Sequence, residues 1–342
     1  MRALVVGLGN MGRSHALALH RNTGAVLVGL VNRSPVDLPP ALKHYPIFES
    51  FSTALLATRP DLVCIATYSD SHATLAIAAL EAGAHVFVEK PLATSLAEAR
   101  RVVAKAQDTG RKLVVGYILR HHPSWQCLIV QARKLGGPYV FRMNLNQQSE
   151  EAAWATHKTL MQTTSPIVDC GVHYIDVMCQ ITDAKPLRVT GIGLRLTDEI
   201  AADMYNYGQF QIAFDDESVG WYEAGWGPMM SETAFNVKDV VSPNGSVSLV
   251  AANCARSDAV EDHTRADGIL VHTRGSDHHI KIPAEPDHQT LCDTEQAFVL
   301  KAIEQDLNLE RHMNDAVQSL RICLAADQSI RTKKTVELGD IL

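Results

Sequence analysis

Apolar and polar positions follow two different rhythms along the 342-residue chain. From residue 2 to about 120, short apolar runs alternate with stretches of helical spacing. Ala3–Val6 is the first run. Arg13–Arg21 is the first helical stretch, with Ala16, Leu17 and Leu19 apolar. Ala25–Val31, Asp61–Ala66, His85–Val88 and Leu113–Gly116 read as further strands. Phe48–Ala57, Ser71–Glu81 and a segment from Ser95 to Asp108 read as helices. Ser95 and Glu98 form a capping box, Gly110 stops that helix, and Gly83 suits the left-handed position after the helix before it. Strands alternating with helices imply βαβ units, a parallel sheet covered on both faces and right-handed crossovers.

The rhythm changes after Arg120. Pro123 suits the first turn of a helix that Gly136-Gly137 ends. Tyr139–Asn146 reads as a strand, and Ser165–Thr182 contains a helix. Leu187 to about Ile282 is strand-rich: Arg188–Leu196, Tyr207–Phe214, Ser218–Ala224, Thr233–Val241 and Ser246–Val250. Helices over about Leu291–Gln305 and Asn314–Ile330 close the chain. Gln147–Thr164 and Ala251–Asp267 are the longest irregular stretches, the first with a plausible substrate role. The expected architecture is an α/β Rossmann domain over 1–120, a doubly wound parallel sheet. An α+β domain over 121–342 follows, with a large, mostly antiparallel, open-faced sheet. An open sheet face usually finds a partner subunit, so a homodimer or homotetramer is expected.

Composition narrows the functional classes. A net charge of −7 argues against a nucleic-acid surface, which needs a basic stripe. No apolar stretch approaches the roughly 18 residues that span a bilayer, so no membrane partner is expected. A strand beginning at residue 2 leaves no room for a secretory leader. Seven scattered cysteines without C-x-x-C fit a reducing compartment, and the cytoplasm is the expected location. The chain has 15 histidines, but His121-His122 and His278-His279 lack helical ligand spacing, and no metal site is expected.

The first apolar run feeds into Gly7-Leu8-Gly9-Asn10-Met11-Gly12, a G-x-G-x-x-G between strand and helix. Gly7 permits the turn, Gly9 lets backbone approach a pyrophosphate, and Gly12 lets the helix pack on the strand. The helix N-terminus favours phosphate, so a dinucleotide cofactor is expected along this loop, Asn10 and Met11 included. An acid about 20 residues on would bind a ribose 2′-hydroxyl. The second strand instead ends in Asn32-Arg33-Ser34, a cation and two polar side chains that suit a 2′-phosphate, which favours NADP over NAD.

Three further groups could carry chemistry. Glu89-Lys90-Pro91 ends a strand at the carboxyl edge of the sheet, where α/β folds bind ligands; alone it also reads as a charged strand end. Pro91 invites a cis bond that would direct Lys90. Asp169 and His173 are one helical turn apart, a carboxylate beside an imidazole, with Gly171 leaving room for something to approach; alone the pair also reads as a solvated helix face. Thr67 and His72 lie in the loop after Asp61–Ala66, where a nicotinamide would run, and His72 reads equally as a packing histidine.

Together these stretches resemble the Gfo/Idh/MocA oxidoreductase family. The match runs through G-x-G-x-x-G-x-x-H (Gly7, Gly9, Gly12, His15) and A-T-x-x-x-x-H (Ala66, Thr67, His72). It continues in A-G-x-H-V-x-x-E-K-P-L-A (Ala82 to Ala93) and D-x-G-x-H-x-x-D (Asp169, Gly171, His173, Asp176). The resemblance implies an NAD(P)-dependent dehydrogenase or reductase acting on a secondary alcohol or carbonyl of a sugar, inositol or related polyol. A non-catalytic cofactor-binding sensor of the same fold is the alternative. The resemblance makes Lys90, Asp169 and His173 the catalytic residues, with His173 the acid/base and Lys90 polarising the reacting oxygen. These three and Arg120 are implied substrate contacts. Gly7, Gly9, Asn10, Met11, Gly12, Asn32, Arg33, Ser34, Thr67, His72, Glu89 and Lys90 are implied around the cofactor. Tyr68, where many members have proline, and Thr163-Thr164-Ser165-Pro166, where many have glycines, depart from the pattern.

Overall fold

The computed structural model describes residues 1–232, 237–251, 257, 264–283 and 285–340. It divides into two compact units. The first holds Met1–Ile118 and Pro286–Val317, the second Leu119–Glu285 and Gln318–Leu342.

The first unit begins β1 (Arg2–Val6), α1 (Asn10–Arg21), β2 (Val26–Val31), β3 (Ile47–Phe48) and α2 (Phe51–Thr58). It continues β4 (Leu62–Ile65), α3 (Ser69–Glu81), β5 (His85–Glu89), α4 (Leu96–Thr109) and β6 (Leu113–Gly116). The sheet order is β3-β2-β1-β4-β5-β6, with every pairing parallel. Its strands carry near-continuous apolar runs because both faces are covered; Leu62–Ile65 is buried at every position. The capping box forms: Ser95 Oγ accepts the Glu98 N–H at 3.3 Å, and Gly110 takes the left-handed cap at φ +62°. The core joins Ala16 and Leu19 of α1 to Leu30, Cys64, Phe87 and Val114 of the sheet. Val299 and Ala302 complete it. These come from the returning chain, so 286–317, which the sequence reading counts with the second domain, packs in the first unit.

The second unit runs α5 (Pro123–Leu135), β7 (Val140–Gln148), α6 (Glu151–Leu160), α7 (Pro166–Asp169) and α8 (Gly171–Ile181). Strands β8 (Pro186–Leu194), β9 (Tyr207–Phe214), β10 (Val219–Gly227), β11 (Lys238–Ser242), β12 (Gly245–Ala251), β13 (Ala266–Thr273) and β14 (Ser276–Lys281) follow. Helix α9 (His288–Glu304) returns to the first unit, α10 (Glu310–Thr332) begins there and ends in the second, and β15 (Val336–Glu337) follows in the second. The sheet order is β14-β13-β12-β11-β7-β10-β9-β8-β15, antiparallel except for β7–β10. Alternation along β9 and over the first halves of β7 and β10 separates its two faces. Phe141 and Met143 of β7 and Tyr222 and Ala224 of β10 are buried. On the opposite face Ile192 and Leu194 of β8 are 61% and 56% exposed, and Val140 and Val219 are exposed as well.

Two expectations change. Gln147–Thr164 is not irregular: β7 extends to Gln148 and Glu151–Leu160 is helix. Its one buried residue is Trp154, so apolar periodicity could not announce it, whereas Ala152, Ala153 and Ala155 favour helix by intrinsic propensity. The hairpin β13–β14 was not foreseen, because β14 (SDHHIK) is an exposed edge strand with almost no apolar pattern. Most of the expected irregular stretch Ala251–Asp267, and the start of the expected strand Thr233–Val241, lie outside the described residues.

Candidate active site

The first unit presents the glycine loop at the carboxyl ends of β1 and β4. Gly7 adopts φ +87°, and a Cβ there would stand 2.4 Å from the Ala66 carbonyl oxygen. A Cβ on Gly12 would stand 1.9 Å from the Gly7 carbonyl oxygen, so only glycine lets α1 start this close to the turn. At Gly9 a Cβ would meet none of the described atoms within 4 Å. Gly9 is also the N-cap of α1, with no side-chain cap and no acid in the first turn. Backbone N–H groups with open space before them and no competing anion fit a dinucleotide pyrophosphate.

Residues around the loop divide into braces and exposed groups. Asn32 Oδ1 accepts the Leu8 N–H at 3.1 Å and its Nδ2 donates to the Ser34 carbonyl at 2.7 Å, tying β2 to the loop. Arg33 and Ser34 are exposed beyond it. Asn10 Oδ1 accepts from Arg13 at 2.7 Å, and Met11 is half-buried. Thr67 Oγ1 pairs with Ser71 Oγ at 2.7 Å. His72 is buried, with Nδ1 at 2.8 Å from the Pro91 carbonyl and Nε2 at 3.1 Å from that of Thr67. Its ring therefore lies between the Thr67 loop and the turn after β5, donating to one carbonyl when neutral. Burial, outweighing those carbonyls, lowers its pKa and favours the neutral ring.

Lys90 follows directly on β5 and is half-buried, and the Lys90–Pro91 bond is cis. Glu89 beneath it is buried. Its Oε1 lies 2.7 Å from His15 Nε2, and its Oε2 accepts the Lys90 backbone N–H at 3.2 Å. Burial would raise the Glu89 carboxyl; the His15 hydrogen bond, with Lys90 and His72, holds it below the ordinary glutamate range. Glu89 is thus an anionic anchor for the turn that carries Lys90.

The second unit places Asp169 and His173 one turn apart. Ser165 caps α7, its Oγ accepting the Val168 N–H at 3.4 Å, and Pro166 occupies the first turn. Ser-Pro therefore builds the helix start. Cys170, in the right-handed helical region, joins α7 to α8, and the His173 N–H bonds the Cys170 carbonyl at 3.2 Å. Asp169 is buried and His173 half-buried, so the pair is no solvated helix face. Gly171 leaves no room for an approaching group: a Cβ there would meet Cys323 Sγ at 3.1 Å and Tyr222 at 3.2 Å, so its smallness serves packing. Arg120 forks onto the buried Asp176 at 2.9 and 2.5 Å.

Two buried ionisable residues of note escaped the sequence reading. Lys238 is 1% exposed, donates to the Asn144 carbonyl, and lies 4.8 Å from the Tyr174 ring centroid. Burial lowers its amine from the ordinary value to about 7. Glu295 of α9 is also buried. Each shares its element with other charged residues, Asp239 beside Lys238 and Asp293 and Lys301 near Glu295, and only tertiary packing marks it as buried.

Comparison with known proteins completes the picture. A family model described as oxidoreductase family, NAD-binding Rossmann fold, matches residues 1–117, and the GFO/IDH/MocA C-terminal domain matches 128–237. The 4-carboxy-2-hydroxymuconate-6-semialdehyde dehydrogenase of a Sphingobium species is 32% identical over 169 residues, 46% of this chain and 54% of that protein. The UDP-N-acetylglucosamine 3-dehydrogenase of Acidithiobacillus ferrooxidans is 29% identical over 208 residues, 60% of this chain and 61% of that protein. The chain therefore spans little more than half the length of these curated relatives. The structure of scyllo-inositol dehydrogenase from Lactobacillus casei, with bound NAD(H) and scyllo-inositol, superposes with a TM-score of 0.78 at 20% identity, covering 99% of each chain. At that identity the likeness is one of fold.

Proposed function

We propose, from the premise that this chain belongs to the GFO/IDH/MocA oxidoreductase family, that it is an NAD(P)-dependent dehydrogenase. It would move a hydride between nicotinamide and a secondary alcohol or carbonyl of a sugar, inositol or related polyol. The observation that carries this reading is the open Gly9 helix start in the same sheet edge as Lys90, whose turn the Glu89 carboxylate anchors. Bound along Gly7–Gly12, the cofactor would supply the hydride acceptor or donor.

The chain's own residues supply proton control and orientation. His173 takes the hydroxyl proton in oxidation and returns it in reduction, an imidazole acting as general base and acid. Lys90 donates a hydrogen bond to the same oxygen and offsets its developing charge. Asp169 orients the substrate and supports His173. Asp176 fixes the Arg120 guanidinium, which contacts the substrate. Asn32, Thr67 and His72 hold the cofactor loops in shape.

NADP is the favoured cofactor, because exposed Arg33 and Ser34 stand where an acid would select NAD, and Asn32 is turned inward onto Leu8 and Ser34. The relatives' names support a sugar or polyol substrate. The exposed face of the second sheet supports a homodimer or homotetramer, working in the cytoplasm. Turnover of NAD and NADP with a panel of inositols, free sugars and nucleotide sugars tests the assignment. No turnover with any of them would reject it.

A further inference from the structure

Beneath the Lys90 turn lies a cluster that the reaction as described does not use. His15 of α1, Glu89 of β5 and Glu295 of α9 bring ligand-type atoms within 4.8 Å of one another, all buried. Gln296 Nε2 lies 3.1 Å from His15 Nδ1, so the two ring nitrogens are held by Gln296 on one side and Glu89 on the other. Two carboxyl groups this close, out of water, cannot both be charged. Glu89 has His15 Nε2 at 2.7 Å, accepts the Lys90 backbone N–H at 3.2 Å, and feels the Lys90 charge.

We propose that Glu295 is a positioning residue: a neutral carboxylic acid that keeps Glu89 the anion of the pair, and so keeps the Lys90 turn anchored. This rests on the reading of Lys90 as a catalytic residue. Burial first, then the charge on Glu89, raises the Glu295 carboxyl well above the ordinary range. The ionisable groups facing it are His15 from α1, Cys64 from β4, Cys292 from its own helix, and Glu89 at the end of β5; His72 and Lys90 act on Glu89 through their charges. Burial pushes up both thiols, which therefore add no second anion. Ionising Glu295 at alkaline pH would set two anions side by side and loosen the hold of Glu89 on Lys90.

The test compares the full-length wild type with Glu295→Gln, Glu295→Ala and Lys90→Met. Infrared spectra at neutral pH should show a protonated-carboxyl C=O band that Glu295→Gln removes. With the best substrate of the panel, Glu295→Gln should keep kcat near the wild-type value and lose the wild type's alkaline decline. Glu295→Ala should lower kcat by roughly 10- to 100-fold, the cost of a misplaced catalytic group. Absence of the band overturns the proposal. So does a Glu295→Gln variant as impaired as Glu295→Ala, or an alkaline decline that persists in Glu295→Gln. One equivalent of a transition metal in the purified protein, lost in Glu295→Gln, overturns it in favour of a metal site. Wild-type turnover by Lys90→Met would instead reject the catalytic reading, while the infrared band still reports on Glu295.

Discussion

His122 and Glu285 meet at 2.7 Å, Nδ1 to Oε2, across 163 positions of sequence. The second oxygen of Glu285 accepts the Ser124 N–H at 2.9 Å, so one carboxylate joins the first and last parts of the second unit's long segment. Burial would raise the Glu285 carboxyl, but the bonds from His122 and Ser124 outweigh it and lower its pKa. A carboxylate depressed by folding binds fewer protons in the folded than in the unfolded chain. Its stabilisation is full above the unfolded value of about 4.3 and is lost as pH falls through the folded one. Glu285→Gln is expected to cost about 1–3 kcal/mol at neutral pH and to flatten the acid limb of Tm against pH. An unchanged acid limb would remove this pair as its source.

The chemistry prediction concerns Lys90 and His173. Lys90→Met and His173→Ala should each lower turnover by about 10²- to 10⁴-fold, the usual worth of positioned acid–base catalysis. Cofactor affinity should change far less. Steady-state kinetics beside cofactor titration separates the two effects, and near-normal turnover in both variants would reject the assignment.

Cofactor choice turns on the end of β2. NADPH should bind more tightly than NADH, and Arg33→Ala should narrow the gap by roughly 1.5–3 kcal/mol, the worth of a charge-assisted contact. Fluorescence titration of both cofactors decides it; tighter NADH binding by the wild type would count against NADP.

The doubly wound sheet was legible because each of its signals is local. A strand buried on both faces is an apolar run, and the Ser95 cap and Gly110 stop lie within a few residues of the helix they delimit. The open antiparallel sheet was legible from alternation, except at its edge: β14 has exposed positions on both sides and so no pattern to read. At the site, motif spacing marked Gly7, Gly12, Lys90 and His173. Sequence could not show that His72 spans two carbonyls, that Asp176 holds Arg120, or that Cys323 fills the space beside Gly171. Each of these depends on a partner brought from another part of the chain.

Lys238 gives a second pH-dependent prediction, with a slope of the same sign as that of Glu285 but in the alkaline range. Its amine is lowered by burial to about 7 in the folded chain, against about 10.4 when unfolded. Between those values the unfolded chain binds more protons, so stability rises with pH across that window. Lys238→Met should stabilise the protein near neutral pH and flatten this slope. A steep slope surviving in the variant, measured by chemical denaturation from about pH 7 to 10, would assign it to another group.

The exposed face of the large sheet predicts assembly. Ile192, Leu194, Val140 and Val219 are exposed apolar side chains on a face that also carries Gln209, Glu223 and Arg142, a mixed surface suited to a second copy. Light scattering should give a dimer or tetramer at micromolar concentration, and Ile192→Glu with Leu194→Glu should shift it toward monomer. A wild-type monomer would reject the prediction.

The return of the chain to its first unit has a consequence for biosynthesis. All six strands of the parallel sheet lie within the first 116 residues and leave the ribosome early. Helix α9, at His288–Glu304, emerges more than 170 positions later, yet it supplies Val299 and Ala302 to the same core and Gln296 to His15. Until then Ala16 and Leu19 lack part of their final packing. The nascent nucleotide-binding half must therefore be held, by its own partial order or by a chaperone, while the whole second sheet is synthesised. A gene cut near codon 120 would encode every strand of that half and still yield an unfinished fold.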